Sequence, residues 1–313
     1  MRMTTMQSPS SNAPRRKPHT EAFLQLTIRN QQFDLAYQAI SRCHKTAGLK
    51  PKSMMLLGAS GAGKSTLLHL YRKAFPDAEL EDRTLRPILY ISLPSRVTVN
   101  DILSGLLEAC GDPEPQKGTA RSLLSRLYGL TKSLGVQLII IDEIQHVLPE
   151  HTHRRTQEAA DMIKSIMDRS LIPFVLAGLP HGNRILTDTV KGKHSEDQLI
   201  RRFNASVQLK PPALGSNAWK NLMAVYQKTI GVPCINLSSD EMLKRFYLAS
   251  NGLHGFIANV LEHALESTDG NQQICMTHLS EAFDVSSYAD LIENPFKMSL
   301  PQVERALALR ANV

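Results

Sequence analysis

The sequence predicts an α/β protein: a five-stranded parallel sheet sandwiched by helices, followed by a small all-α domain. Three observations predict it. A glycine-rich loop, Gly58-Ala59-Ser60-Gly61-Ala62-Gly63-Lys64-Ser65, joins the apolar run Met54-Met55-Leu56-Leu57 to a segment of helical character, Thr66-Leu67-Leu68-His69-Leu70-Tyr71. Beyond it, short aliphatic runs alternate with amphipathic stretches, the pattern of a parallel sheet covered on both faces. After Pro211-Pro212 only helical patterning remains.

Taken in order, residues 1–20 hold three prolines and four basic residues without an acid, which predicts a disordered basic arm. Residues 21–212 are expected to form the nucleotide-binding core, introduced by a helical segment carrying Phe23, Leu24, Ile28, Phe33, Leu35, Ala36 and Ile40. Gly48-Leu49-Lys50-Pro51 breaks that segment before the first strand. Strands are expected near 53–57, 88–92, 137–142, 173–177 and 206–209. Between them, Leu123, Leu124, Leu127 and Leu134, then Ala159, Met162, Ile163, Ile166 and Met167, recur at helical spacing. A helical lid domain is expected over 213–288, with one helix containing Trp219 and another opened by a Ser238-x-x-Glu241 capping box. Residues 289–313 read as a C-terminal tail.

The 313 residues supply ample core for two domains. A net charge of +7 and a pI near 9.2 lean toward a polyanionic partner, most simply nucleic acid, although many basic proteins never touch DNA. Cys43, Cys110, Cys234 and Cys275 are far apart and form no C-x-x-C pair, which argues against a disulfide frame or zinc site and for a reducing compartment. No apolar stretch resembles a secretory signal or a bilayer span. The expected location is the cytosol, with no membrane partner.

The glycine-rich loop fits the complete G-x-x-x-x-G-K-[ST] pattern. Such a loop wraps a polyphosphate in backbone N–H groups at a helix N-terminus. Gly58, Ser60, Gly61, Ala62, Gly63, Lys64, Ser65 and Thr66 are therefore the candidate ATP-binding residues, with Lys64 on the β/γ-phosphates and Ser65 a ligand of Mg²⁺. The aliphatic run Leu138-Ile139-Ile140-Ile141 ends in Asp142-Glu143, 78 residues after Lys64. Asp142 is the second candidate Mg²⁺ residue and Glu143 the candidate that polarises the attacking water. Two acids at a strand end can also cap the next helix.

Arg201-Arg202-Phe203 precedes the fifth strand. Arg202, next to the aromatic, is the better candidate for an arginine finger reaching a neighbouring subunit's triphosphate, with Arg201 beside it; a solvated basic helix end is the competing reading. His146, His151 and His153 flank Glu150, but no further ligand cluster accompanies them, and a solvated loop is preferred to a metal site. Arg96 and Asn100, after the second strand, and Lys117 and Thr119, before the next helix, have the chemistry of phosphate contacts, though ordinary loops share it.

The order of phosphate loop, Ile141-Asp142-Glu143-Ile144-Gln145, Phe174-Val175-Leu176-Ala177-Gly178-Leu179-Pro180, Leu199-Ile200-Arg201-Arg202-Phe203 and a helical lid resembles the TniB/TnsC family of AAA+ transposition regulators over about residues 20–285. The more particular features are the Gly-Leu-Pro, the Arg-Phe and a late Asn294-Pro295-Phe296. The resemblance implies an ATP-dependent protein that forms rings or helical filaments on double-stranded DNA and recruits or stimulates a DDE transposase, often with a TniQ-type adaptor. It also implies that Arg96, Asn100, Lys117 and Thr119 face DNA. Two departures stand out: Asn251-Gly252-Leu253-His254-Gly255-Phe256 lacks the lid arginine of a Gly-x-x-Arg pattern, and Gly178 stands where a polar residue is usual. Slow, regulatory hydrolysis is therefore expected. A helicase loader of the DnaC/IstB type and a nucleotide-binding scaffold that never meets DNA are the alternative readings.

Overall fold

Strands that are apolar at every position need cover on both faces, and alternate residues find it on opposite sides of one sheet. A computed structural model of the chain describes residues 16–148, 153–187, 197–286 and 292–311. In chain order the elements are α1 (Pro18–Leu24), α2 (Gln31–His44), β1 (Met54–Gly58), α3 (Lys64–Lys73), β2 (Ala78–Glu79), β3 (Thr84–Leu85), β4 (Ile88–Ser92), α4 (Val99–Cys110) and α5 (Ala120–Ser133). They continue with β5 (Leu138–Asp142), α6 (His153–Ser170), β6 (Phe174–Gly178), α7 (Arg184–Thr187), α8 (Asp197–Ile200) and β7 (Val207–Leu209). Five further helices follow: α9 (Asn217–Thr229), α10 (Asp240–Ser250), α11 (His254–Ser267), α12 (Met276–Asp284) and α13 (Leu300–Ala311).

Residues Arg29–Pro211 form one compact unit; the chain up to Ile28 and from Pro212 onward forms the other. In the first unit a five-stranded sheet runs β4-β5-β6-β1-β7, parallel throughout. Met55, Leu57, Ile139 and Ile141 enter a core shared with α4, α5 and α6. Their neighbours Met54, Leu56, Leu138 and Ile140 enter the opposite core, shared with α2 and α3. This two-sided burial is why the runs show no polar alternation. The short hairpin of the exposed β2 and the half-buried β3 was not foreseen, because two-residue strands carry no periodicity. The strand order leaves β6 between β5 and β1, which brings the carboxyl ends of these three strands side by side.

The second unit packs Trp219, Tyr226, Phe246, Phe283 and Phe296 into one aromatic-rich core. Three details differ from expectation. Residues 16–20, assigned to a disordered arm, are partly folded: Pro18 opens α1, His19 Nε2 pairs with the Leu265 carbonyl at 2.9 Å, Arg16 pairs with Glu262, and Phe23 enters the helical core. Burial of Phe23 also draws the segment before Ile28 to the helical unit instead of the nucleotide core. The capping residue of α10 is Ser239, whose hydroxyl accepts from Met242 N–H, and not Ser238; Glu241 instead pairs with Arg245 one turn on.

The third difference concerns the predicted tail. Asn294 donates to the Ser280 carbonyl at 2.9 Å and to Asp284 at 2.8 Å, and accepts from Phe296 N–H. Phe296 is buried beside Phe246 and Phe283. The Arg245 guanidinium, itself buried, donates to the carbonyls of Pro295 and Met298 and to Glu241. The Asn-Pro-Phe triplet is thus a clasp that holds the C-terminal segment, and α13 packs on α10.

Two outcomes follow for the helical unit. Arg245→Ala removes the shared donor of two carbonyls and is expected to cost about 2–4 kcal/mol, read as a lower urea midpoint at unchanged slope. His254 is held down to about 4 from 6.5 by burial, so the unfolded chain takes up its proton first. The stability His254 contributes is complete above pH 6.5 and is lost as pH falls from there toward 4, by up to about 3 kcal/mol; His254→Phe should flatten that part of a melting-temperature–pH curve.

Candidate functional site

Gly58, Gly61 and Gly63 make the loop's shape possible. Gly61 (φ 75°) and Gly63 (φ 91°) adopt left-handed backbone, which glycine enters without steric cost. Gly63 is the residue before α3, so the loop ends at a helix N-terminus with unpaired N–H groups. At Gly58 the limit is space: a Cβ would lie 3.0 Å from the Leu209 carbonyl oxygen and 3.2 Å from Ala62 Cβ. Lys64 is buried, and its ammonium donates to the carbonyls of Gly58 at 2.8 Å and Ala59 at 3.0 Å. Burial lowers its pKa, while the charges of Glu143 and Asp142 act in the opposite direction. Ser60 and Thr66 are exposed and Ala62 is half-buried. The loop is therefore a glycine cradle with a buried cation folded over its rim.

Asp142 ends β5 with its carboxylate buried. One oxygen accepts from the Ser65 hydroxyl at 2.8 Å and from the Tyr90 hydroxyl at 3.2 Å; the other accepts from Glu143 N–H at 2.9 Å. The contact with Ser65 ties the first turn of α3 to the end of β5. Burial, and then the Asp142 charge, push the Tyr90 phenol upward, so it stays a donor. Hard oxygens of a hydroxyl and a carboxylate beside a phosphate cradle suit Mg²⁺. Tyr90 was not among the sequence candidates; its hydroxyl is the one polar group within Ile88-Leu89-Tyr90-Ile91, which is the signal that could have found it.

Glu143 stands just beyond the strand in left-handed backbone, φ 59° and ψ 39°, and does not cap a helix with its side chain. The turn sends the chain into a 3₁₀ segment, Ile144–Val147. There the Gln145 amide donates to the Glu143 carboxylate, and its carbonyl accepts from Leu179 N–H at 3.1 Å. Lys64, Ser65, Asp142 and Glu143 are thereby gathered at one end of the sheet.

Arg202 lies at the other end. Its carbonyl accepts from Ser53 N–H at 2.7 Å, just ahead of β1, and Phe203 bridges Ser53. A strand length of about 17 Å separates that point from the phosphate loop. The Arg202 guanidinium pairs with Asp168 on α6, and the Arg201 carbonyl accepts from Lys52 Nζ. Arg96, Asn100, Lys117 and Thr119 are all exposed. Arg96 is in left-handed backbone (φ 62°), and Asn100 lies in the first turn of α4. Lys117 pairs with Glu114 at 2.9 Å, and the Thr119 hydroxyl caps α5 by accepting from Ser122 N–H. Both of these side chains thus have local structural work that sequence did not reveal. His151 and Glu150 lie outside the described residues, and among the described residues no group of three acids, histidines or cysteines is placed to hold a metal. Nor is any helix there long and apolar enough to cross a membrane.

The profile of the family described as bacterial TniB protein matches residues 27–211. No curated protein sequence matched the chain. Among solved structures, the ORC2 protein of Aeropyrum pernix in ADPNP–ADP complexes is similar at TM-score 0.57 and 17% identity, covering 85% of this chain and 71% of that one. The Aeropyrum pernix ORC1 protein in complex with DNA matches at TM-score 0.58 and 15% identity, over 92% of this chain and 86% of that one. A Walker-type ATPase of Pyrococcus abyssi matches at 0.55 and 16%, over 86% and 75%. At such identities the shared property is the fold, the AAA+ P-loop architecture with its helical C-terminal region.

Gly58→Ala tests the packing of the cradle. The added methyl has to displace either the Leu209 backbone or Ala62, and an expected cost of about 1–3 kcal/mol should appear as a lower melting temperature.

Proposed function

The chain belongs to the bacterial TniB family, and from that premise we propose that it is an ATPase that assembles on double-stranded DNA as an ATP-dependent oligomer and there recruits or activates a transposase. The observation that carries this reading is the placement of Arg202 a strand length from its own phosphate loop. An arginine so placed serves a triphosphate only from a neighbouring copy.

The chemistry is phosphoryl transfer to water. Loop amides and Lys64 hold the β- and γ-phosphates; Ser65 and Asp142 would hold Mg²⁺, which when bound neutralises phosphate charge. A water oxygen bonds the γ-phosphorus, the bond to the bridging oxygen breaks, and the water proton passes to a Glu143 carboxylate oxygen. Arg202 from the adjoining copy, after leaving Asp168, stabilises charge on the transferring group. The missing lid arginine argues for slow turnover, so that hydrolysis acts mainly to disassemble the oligomer.

Arg96, Asn100, Lys117 and Thr119 would contact DNA phosphates. Their exposure supports this for all four, while the Glu114 partner of Lys117 weakens its share. A TniQ-type adaptor fits the same scheme as an intermediary to the transposase.

The test is electron microscopy and sedimentation of the full chain with duplex DNA and a non-hydrolysable ATP analogue. Assembly on DNA that requires nucleotide is expected, and Lys64→Ala should abolish it through loss of at least roughly 100-fold in nucleotide affinity. A chain that stays monomeric with both ligands overturns the reading. Arg202→Ala should still bind nucleotide yet lose hydrolysis by roughly 10³-fold, and mixing it with Glu143→Gln copies, themselves inactive but with Arg202 intact, should restore part of the activity. No recovery in the mixture would exclude action between copies.

A further inference from the structure

Gly178 leaves the end of β6 without a side chain, yet the space above it is filled. An ideal Cβ at Gly178 would sit 2.4 Å from the Gln145 carbonyl oxygen and 3.0 Å from Ile144 Cγ2. The Gln145 carboxamide lies across that glycine, with its NH₂ on the Glu143 carboxylate and its oxygen on Leu179 N–H. We propose that Gln145 is the positioning residue for Glu143, and that Gly178 is a glycine because any larger residue would evict the Gln145 amide.

Three features carry this. First, the donor role of the NH₂ follows from its partner, since a carboxylate only accepts and such charge-assisted bonds are the strong ones. The orientation is confirmed at the other end, where Leu179 N–H requires an acceptor. Second, Glu143 is held in left-handed backbone, a costly conformation for a non-glycine residue that persists only where its surroundings impose it. The turn it makes is what returns residue 145 over residue 143. Third, β6 lies between β5 and β1, and Leu57 pairs in register with Gly178. The amide therefore spans the gap between the acid pair and the phosphate loop, on the side where the transferring phosphate must lie. Without it the glutamate side chain has three torsions to order for proton abstraction by itself.

The inference rests on the ATPase reading above, and the experiment separates the two. Single-turnover ATP hydrolysis by the full chain, with Mg²⁺ and duplex DNA, is measured for wild type, Glu143→Gln, Gln145→Ala, Gln145→Glu, Gly178→Ala and the Gln145→Ala/Gly178→Ala double variant. Affinity for a fluorescent ATP analogue and melting temperature are recorded alongside. Gln145→Ala is expected to lower the rate constant roughly 10- to 100-fold, with affinity changed less than about 3-fold. Gln145→Glu matches the native side chain in size, keeps an acceptor for Leu179 and loses the donor toward Glu143, so it should fall at least as far without loss of fold. Gly178→Ala should reproduce the defect in the wild-type background and add less than about 2-fold in the Gln145→Ala background. A Gln145→Ala or Gln145→Glu rate equal to or above wild type, with Glu143→Gln inactive, overturns the positioning role. So does a Gly178→Ala defect of equal size in both backgrounds. Undiminished hydrolysis by Glu143→Gln overturns Glu143 as the base and the positioning role with it, whereas no hydrolysis by wild type sinks the ATPase reading itself.

Discussion

The contact between the Ser65 hydroxyl and the buried Asp142 carboxylate is the constraint on which the site's arrangement depends. A carboxylate removed from water must have its lone pairs met, or burial becomes prohibitive. Here three donors meet them: Ser65, Tyr90 and the chain's own next N–H. Because Ser65 belongs to α3 and Tyr90 to β4, satisfying one carboxylate aligns three elements. The lysine at the start of α3 and the glutamate just past β5 are brought into one another's field as a result.

Around that contact the molecule separates two chemical tasks by sheet polarity. In a parallel sheet every strand delivers its carboxyl end to the same edge, so Lys64, Ser65, Asp142 and Glu143, the groups proposed to hold and attack a phosphate, converge there. The amino edge carries Arg202, braced by Asp168. On the proposed reading a single chain presents a receptor for a triphosphate at one edge and a cation at the other. The oligomer proposed above would join them by stacking copies head to tail, a heterologous contact of the kind that closes into rings or continues as a helix.

Sequence revealed what is local or periodic. The phosphate loop, Asp142-Glu143 and the apolar strands are contiguous strings whose chemistry or burial is written in adjacent residues. What escaped is what depends on folding. Tyr90 reaches Asp142 only through the pairing of β4 with β5, and Gln145 reaches Leu179 only because the backbone reverses at Glu143. The bare Gly178, read in sequence as a missing group, proves to be room for a side chain from another strand end. Nothing in the sequence around Arg245 points to the C-terminal carbonyls it serves, which lie about 50 residues on. Phe23 was read as the start of the core, since nothing nearby in sequence announces a partner 203 residues away in Tyr226.

The docking of α1 on α11 gives the chain an unusual connectivity. The nucleotide-binding unit is an uninterrupted middle portion, spliced into a helical unit built from both flanks. Two covalent joints, at Ile28–Arg29 and Pro211–Pro212, leash it at once. A protease that nicked one joint would not free the middle portion: the other joint would still hold it, and the severed flank would stay clasped within its own unit by helix-to-helix packing.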